Sequence, residues 1–122
     1  MRHSVQLLPI KTHTDVRRGN LGVMEDLPFH VRRVFFVYEV PRNVIRGGHA
    51  HKSCHQLFVA MCGAVLIRLG DGKEFILDCP DIGLYVPPKH IVRMMFLTDD
   101  TTLLVLASHK YDENDYMYSE KI

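Results

Sequence analysis

The chain has no tryptophan, and its three cysteines, Cys54, Cys62 and Cys79, form no C-x-x-C pair. An odd count without that spacing argues against a secreted disulfide framework and for a reducing compartment, the cytoplasm. The missing Cys…Trp…Cys signature also disfavours an immunoglobulin-type sandwich. No window approaches 18 apolar residues, so no helix is expected to span a bilayer. The first nine residues hold no apolar stretch long enough for a signal peptide. Charge of one sign is equally scarce: 15 Lys and Arg against 14 Asp and Glu leave a net charge of +1. Nucleic-acid binders usually carry a clear basic excess, so that partner class is not expected. A convincing amphipathic helix of normal length is absent too.

What remains is an ordinary globular composition, 47% hydrophobic and 24% charged over 122 residues, read as one domain spanning residues 1–122. The pattern is β. Val31 to Val40 is the strongest strand: Arg33, Phe35, Val37 and Glu39 alternate with Val34, Phe36, Tyr38 and Val40. Leu7 to Thr12 is a short apolar segment, and Arg17-Arg18-Gly19-Asn20-Leu21-Gly22 reads as a turn. Pro41 and Gly47-Gly48 bracket a loop. His55 to Leu69 reads as two strands about a turn at Gly63-Ala64, and Gly70-Asp71-Gly72-Lys73 is a hairpin turn. Phe75–Cys79, Gly83–Val86, Ile91–Leu97 and Thr101–Ser108 continue the series. Turn signals about every ten residues predict an all-β sandwich or barrel. The tail from Tyr111 is polar and tyrosine-rich, with at most a short helix.

The one unusual count is eight histidines. His49 and His51, two residues apart, share a face if they lie on a strand. His3, His13, His30 and His109 have no partner by spacing and are read as surface or structural. His55 has the parity of the pair but lies further along, and its role is left open.

The segment Arg46-Gly47-Gly48-His49-Ala50-His51-Lys52-Ser53-Cys54-His55-Gln56, with Gly63, fits the frame of a cupin jelly roll. That frame has two histidines, an acidic ligand and a glycine. Here Gln56 replaces the carboxylate, and Val92 stands where a fourth ligand, a histidine, belongs. Losing two of four ligands argues for metal-free chemistry, because a first-row metal site generally needs three or more suitable protein ligands. A displaced ligand at His90 is the alternative. Further runs extend the likeness from Asp15 to Tyr116. They are Val31-Arg32-Arg33-Val34, Gly83-Leu84-Tyr85-Val86-Pro87-Pro88, Val105-Leu106-Ala107-Ser108 and Tyr111-Asp112-Glu113-Asn114-Asp115-Tyr116. Together they resemble the nucleotide-sugar 3,4-ketoisomerases. Ile91-Val92-Arg93-Met94 departs from that family's Trp-His-Glu-Met, and Phe35-Phe36 stands where tyrosines are usual.

The resemblance implies an all-β, cupin-like antiparallel jelly roll or β-barrel. It also implies an isomerase that moves the keto group of a dTDP-linked 4-keto-6-deoxy sugar from C4 to C3, without cofactor. Such an enzyme belongs to the making of 3-amino-deoxysugars for lipopolysaccharide, other surface glycans or glycosylated products. A homodimer with exchanged N-terminal strands is implied as well. The alternatives are an epimerase of similar fold, a metal-dependent cupin and a non-catalytic sugar-nucleotide binder. For the isomerase, His49 and His51 are the proton-transfer candidates, since imidazole titrates near working pH. Tyr38, Gln56 or Arg46 would donate to the ketone oxygen. Arg17, Arg18, Arg33 and Lys52 are the cations available to a diphosphate.

Overall fold

The structure, a computed structural model, describes residues 4–118. His3 and the last four residues of the tail lie outside that range. Twelve strands run in chain order: β1 (Gln6–Pro9), β2 (Lys11–Asp15), β3 (Gly19–Val23), β4 (Arg33–Tyr38), β5 (Ile45–His51), β6 (Gln56–Cys62), β7 (Val65–Leu69), β8 (Glu74–Leu77), β9 (Ile82–Val86), β10 (Val92–Phe96), β11 (Thr102–Ala107) and β12 (Tyr116–Tyr118). Among the described residues the one helical element is a 3-10 turn at Glu113–Asp115. One antiparallel sheet has the order β1-β9-β6-β11-β4 and a second the order β12-β5-β10-β7-β8; β2 and β3 pair only with each other. This is the all-β, two-sheet architecture that the turn spacing predicted, in the antiparallel cupin-like form that the resemblance implied.

The core lies between the two sheets. Phe58, Leu84, Leu103 and Val105 from the first meet Val65, Ile67, Val92 and Phe96 from the second. The first sheet is covered on its other face as well, where Leu57, Val59, Tyr85 and Leu106 pack against Met24, Leu27, Phe29 and Val31. Burial on both faces explains why β6 reads as a continuous apolar run rather than an alternating one.

Two expectations need correcting. Arg17–Gly22 is not all turn: the chain reverses after Asp15, and Gly19–Val23 is already strand. Gly47 and Gly48 do not close a loop but lie inside β5, with φ of 92° and 95°. Next to them the pairing with β10 slips, Val92 facing His49 while Arg93 faces Gly47. The extra residue makes a β-bulge, which only glycine accommodates at these angles. It also resets the side-chain parity. Arg46 and His49, three apart, would face opposite ways on a regular strand, yet both line one cavity.

A Cβ on Gly47 would stand 2.5 Å from the Val92 carbonyl oxygen, whereas Gly72, at φ 94°, has nothing within 4 Å. Gly47→Ala is therefore expected to cost about 1–3 kcal/mol. The calorimetric melting temperature should fall by several degrees, and by clearly more than for Gly72→Ala. Equal losses would show that the close approach does not matter.

Candidate active site

Strand β5 is held on both edges, by β10 on one side and by β12 on the other. In the second ladder Tyr116 faces His51 and Tyr118 faces His49. The imidazoles of His49 and His51 project to one side with ring centroids 5.7 Å apart, edge to face. Tyr116 stacks on His49 at 4.3 Å and meets His51 edge-on at 4.8 Å. Both imidazoles open into a cavity of about 250 Å³. Phe35, Val37, Phe58, Val92, Met94 and Val105 supply its apolar walls, and Arg33, Arg46, Gln56 and Tyr111 supply polar groups.

This setting changes the titration of both histidines. Burial lowers the proton affinity of His49. Burial also lowers that of His51, helped by neighbouring His49 and Arg33 and opposed by Asp115. Desolvation disfavours the imidazolium, so neutral imidazole, a base, is the resting form at pH 7. Burial likewise raises Tyr116 above the ordinary phenol range, which keeps its proton on. Among the described residues, the buried side-chain nitrogens without a hydrogen-bond partner are His49 Nδ1 and Arg33 Nε. The Arg33 guanidinium lies 4.8 Å over the Phe35 ring and 5.9 Å over that of Tyr111.

His51 has a fixed partner. Its Nδ1 stands 3.3 Å from Asp115 Oδ2, with both side chains largely buried. The same carboxylate accepts hydrogen bonds from the backbone N–H of Ser53 (3.0 Å) and Cys54 (3.2 Å). The Lys52 N–H donates to the Asp115 carbonyl at 2.7 Å.

The structure brings together His49, His51, Arg33, Arg46 and Gln56. It does not bring Tyr38, which is 56% exposed on the outer face of β4. Strand parity requires this: Arg33 and Tyr38 are five residues apart, so only one of them can face the cavity. Arg17 and Arg18 stand exposed at the turn between β2 and β3, and Arg18 pairs with Asp15 at 3.0 Å. Lys52 is exposed and outside the cavity lining. His55 belongs to the opposite face of the first sheet, where its Nδ1 lies 2.8 Å from the Tyr85 hydroxyl and its ring stacks on Phe29. The tyrosines that do reach the site, Tyr111 and Tyr116, come from the tail, as does Asp115. The sequence signal for them was the Tyr111–Tyr116 run itself.

The cupin frame is present in space. Val92 pairs directly with His49, and Gln56 lines the same cavity. His90 lies in the loop before β10 and not in the lining. Among the described residues no group of three or more His, Cys, Asp or Glu side chains is placed to hold a metal ion.

Comparison with known proteins places this arrangement. The family described as "FdtA: WxcM-like, C-terminal" matches residues 3–121. The chain belongs to that family. A curated relative, the TDP-4-oxo-6-deoxy-alpha-D-glucose-3,4-oxoisomerase of Aneurinibacillus thermoaerophilus, is 38% identical over 106 residues, 82% of this chain and 76% of that one. The sugar 3,4-ketoisomerase of Thermoanaerobacterium thermosaccharolyticum, solved with TDP, superposes with a TM-score of 0.91 at 36% identity. That match covers 99% of this chain and 92% of the other. The TDP-quinovose 3,4-ketoisomerase of Campylobacter jejuni gives 0.89 at 32%, covering 96% and 94%. A 4-keto-6-deoxy sugar epimerase of Streptomyces spheroides is more distant, at 19% identity and 0.78, covering 94% and 68%, and shares the fold alone. This FdtA-family chain is thus a sugar 3,4-ketoisomerase by kinship, with its histidine pair in the cupin pocket.

The lowered proton affinity of both histidines has a consequence for stability. An unfolded histidine titrates near 6.5, so below that pH the unfolded chain binds more protons than the folded one. The contribution of His49 and His51 is therefore present above about pH 6.5 and is lost as pH falls. The thermal midpoint should drop more between pH 7 and pH 5 for the wild type than for a His49→Asn/His51→Asn double variant. Parallel drops would contradict the assignment.

Proposed function

We propose that the chain converts dTDP-4-keto-6-deoxyglucose into its 3-keto isomer, with His49 and His51 moving the protons. The observation that carries this is the pair of imidazoles side by side on one wall of a largely apolar cavity, where burial favours their neutral form. The chemistry needs little else. One imidazole takes the proton from C3, giving an enediolate whose negative charge sits on the C4 oxygen. A proton passes from the C3 oxygen to the C4 oxygen, and C4 is then reprotonated. Ketone and alcohol exchange places within one molecule, so the reaction has no net redox demand. The developing oxyanion needs a preorganised donor, and Gln56 and Arg46 line the same cavity.

At about 250 Å³ the cavity is smaller than ordinary ligand pockets, which run roughly 300–1,000 Å³. It suits the hexose, with the nucleotide extending outward. The unpartnered Nε of Arg33 is a charge-assisted donor suited to a diphosphate oxygen. Three free thiols agree with a cytoplasmic setting. No helix among the described residues is long and apolar enough to cross a membrane.

Incubation with dTDP-4-keto-6-deoxyglucose in deuterium oxide, followed by proton NMR, tests the reaction. A 3-keto product is expected, carrying solvent deuterium at C4 unless the proton is passed internally. A ketone retained at C4 with exchange only at neighbouring carbons would mean an epimerase, and binding without product a sensor. His49→Asn and His51→Asn should lower turnover by about 10²-fold or more for the residue acting as base. Near wild-type rates in both would refute the proton-transfer roles.

The working unit is proposed to be a homodimer. On β4, an edge strand, Val34, Phe36 and Tyr38 are each more than half exposed, and the hairpin of β2 and β3 joins neither sheet. An edge strand with an uncovered apolar face of this kind is ordinarily paired or covered. Light scattering should return twice the chain mass of 14.1 kDa. A monomer at micromolar concentration would contradict the proposal.

A further inference from the structure

The two histidines of the cavity differ in their surroundings. His49 Nδ1 is buried without a partner, while His51 Nδ1 faces Asp115. The Asp115 carboxylate cannot turn away. Its Oδ1 is engaged by Ser53 N–H and its Oδ2 by Cys54 N–H. Its backbone is fixed by the Lys52 N–H at 2.7 Å and by its own N–H donating to the Asp112 carbonyl at 3.0 Å. Asp112 in turn caps the 3-10 turn by accepting from the Asn114 N–H. Two backbone N–H groups already point at the carboxylate, and a carboxylate only accepts hydrogen bonds. The imidazole nitrogen facing it therefore carries the proton, and the other nitrogen is left with its lone pair.

We propose that Asp115 is a positioning residue for His51: its carboxylate holds the ring proton on Nδ1 and leaves Nε2 bare for the cavity. This rests on the reading of His51 as a proton-transfer group. Asp115 never touches the sugar. It acts through His51 by choosing the tautomer, fixing the ring and favouring the imidazolium that forms when a proton is taken up. The other charged or titratable groups around His51 are His49 and Arg46 on its own strand, Arg33 on β4, and Tyr111 and Tyr116 from the tail. Asp115 is the carboxylate that faces His51 alongside these groups. The tail thus completes the site, since without it His51 would be free to hold its proton on either nitrogen.

The test uses the full chain with Asp115→Asn, Asp115→Glu and His51→Asn. An amide can donate where the carboxylate could only accept, so Asp115→Asn favours the wrong tautomer. The expected loss is about 10–100-fold in kcat, with KM for dTDP-4-keto-6-deoxyglucose little changed. The acid limb of the kcat profile should also move to lower pH, because the charge that favours protonated His51 is gone. Asp115→Glu should recover part of the rate. An unmoved acid limb with unchanged kcat in a folded Asp115→Asn variant would overturn the proposal. So would a rate loss matched by lost folded protein alone. Nitrogen-15 NMR of the wild type tests it without any variant: His51 is expected as the Nδ1–H tautomer, and an Nε2–H tautomer would overturn it. His51→Asn separates the two readings. If that variant kept full turnover, the proton-transfer role would fail while the tautomer result stood by itself.

Discussion

The ladder between β5 and the tail strand β12, with the Asp115 carboxylate at its end, is the interaction on which the site depends. Four groups meet at that carboxyl residue: the N–H of Lys52, Ser53 and Cys54, and the ring of His51. Those three backbone donors leave the end of β5 and would otherwise need solvent or another acceptor. With them satisfied, Tyr116 is delivered onto His49 and the edge of β5 is closed. Were the tail displaced, both imidazoles would gain water, and the desolvation that keeps them neutral would weaken. Fold and the proposed proton chemistry are thus joined through a segment lying more than sixty residues from the histidines in sequence.

The cavity separates two demands that conflict in water. Proton transfer at carbon wants a neutral base in dry surroundings, and the apolar walls from β4, β6, β10 and β11 supply them. A nucleotide diphosphate wants cations and some access to solvent. Arg33 and Arg46 provide charge on the same lining as the histidines, and the bulge at Gly47–Gly48 is what turns Arg46 to that side. The substitution of Val92 for an imidazole contributes as well. A ring directly opposite His49 would add a third nitrogen donor, whereas valine adds only apolar surface.

Most of the strand positions were legible from turn spacing and from β-branched and aromatic runs, whereas their order in the sheets was not. The His49–His51 pair was legible from spacing two on a strand, and the family from its motifs. The errors share a cause: local pattern does not report which face of an element is inside. β4 is apolar on both faces, so alternation alone could not choose between Arg33 and Tyr38, although parity forbade choosing both. Gly47-Gly48 looks like a loop because the same dihedral freedom serves loops and bulges. Asp115 was invisible as a partner of His51 because the contact is created by the tail folding back. Polar, tyrosine-rich sequence carries no period that announces a three-residue strand. His55 kept the parity of the pair, but the chain turns between β5 and β6, and parity does not carry across a turn.

The central claim is that the sugar carbons undergoing isomerisation sit against His49 and His51. The most direct measurement is a crystal structure with a dTDP-linked 6-deoxyhexose that has no ketone and so cannot turn over. The account predicts the hexose in the cavity, its C3 and C4 substituents within about 3 Å of an imidazole nitrogen. It also predicts the diphosphate on the side of Arg33 and Arg46. A hexose bound elsewhere on the chain, away from the histidine cavity, would contradict it.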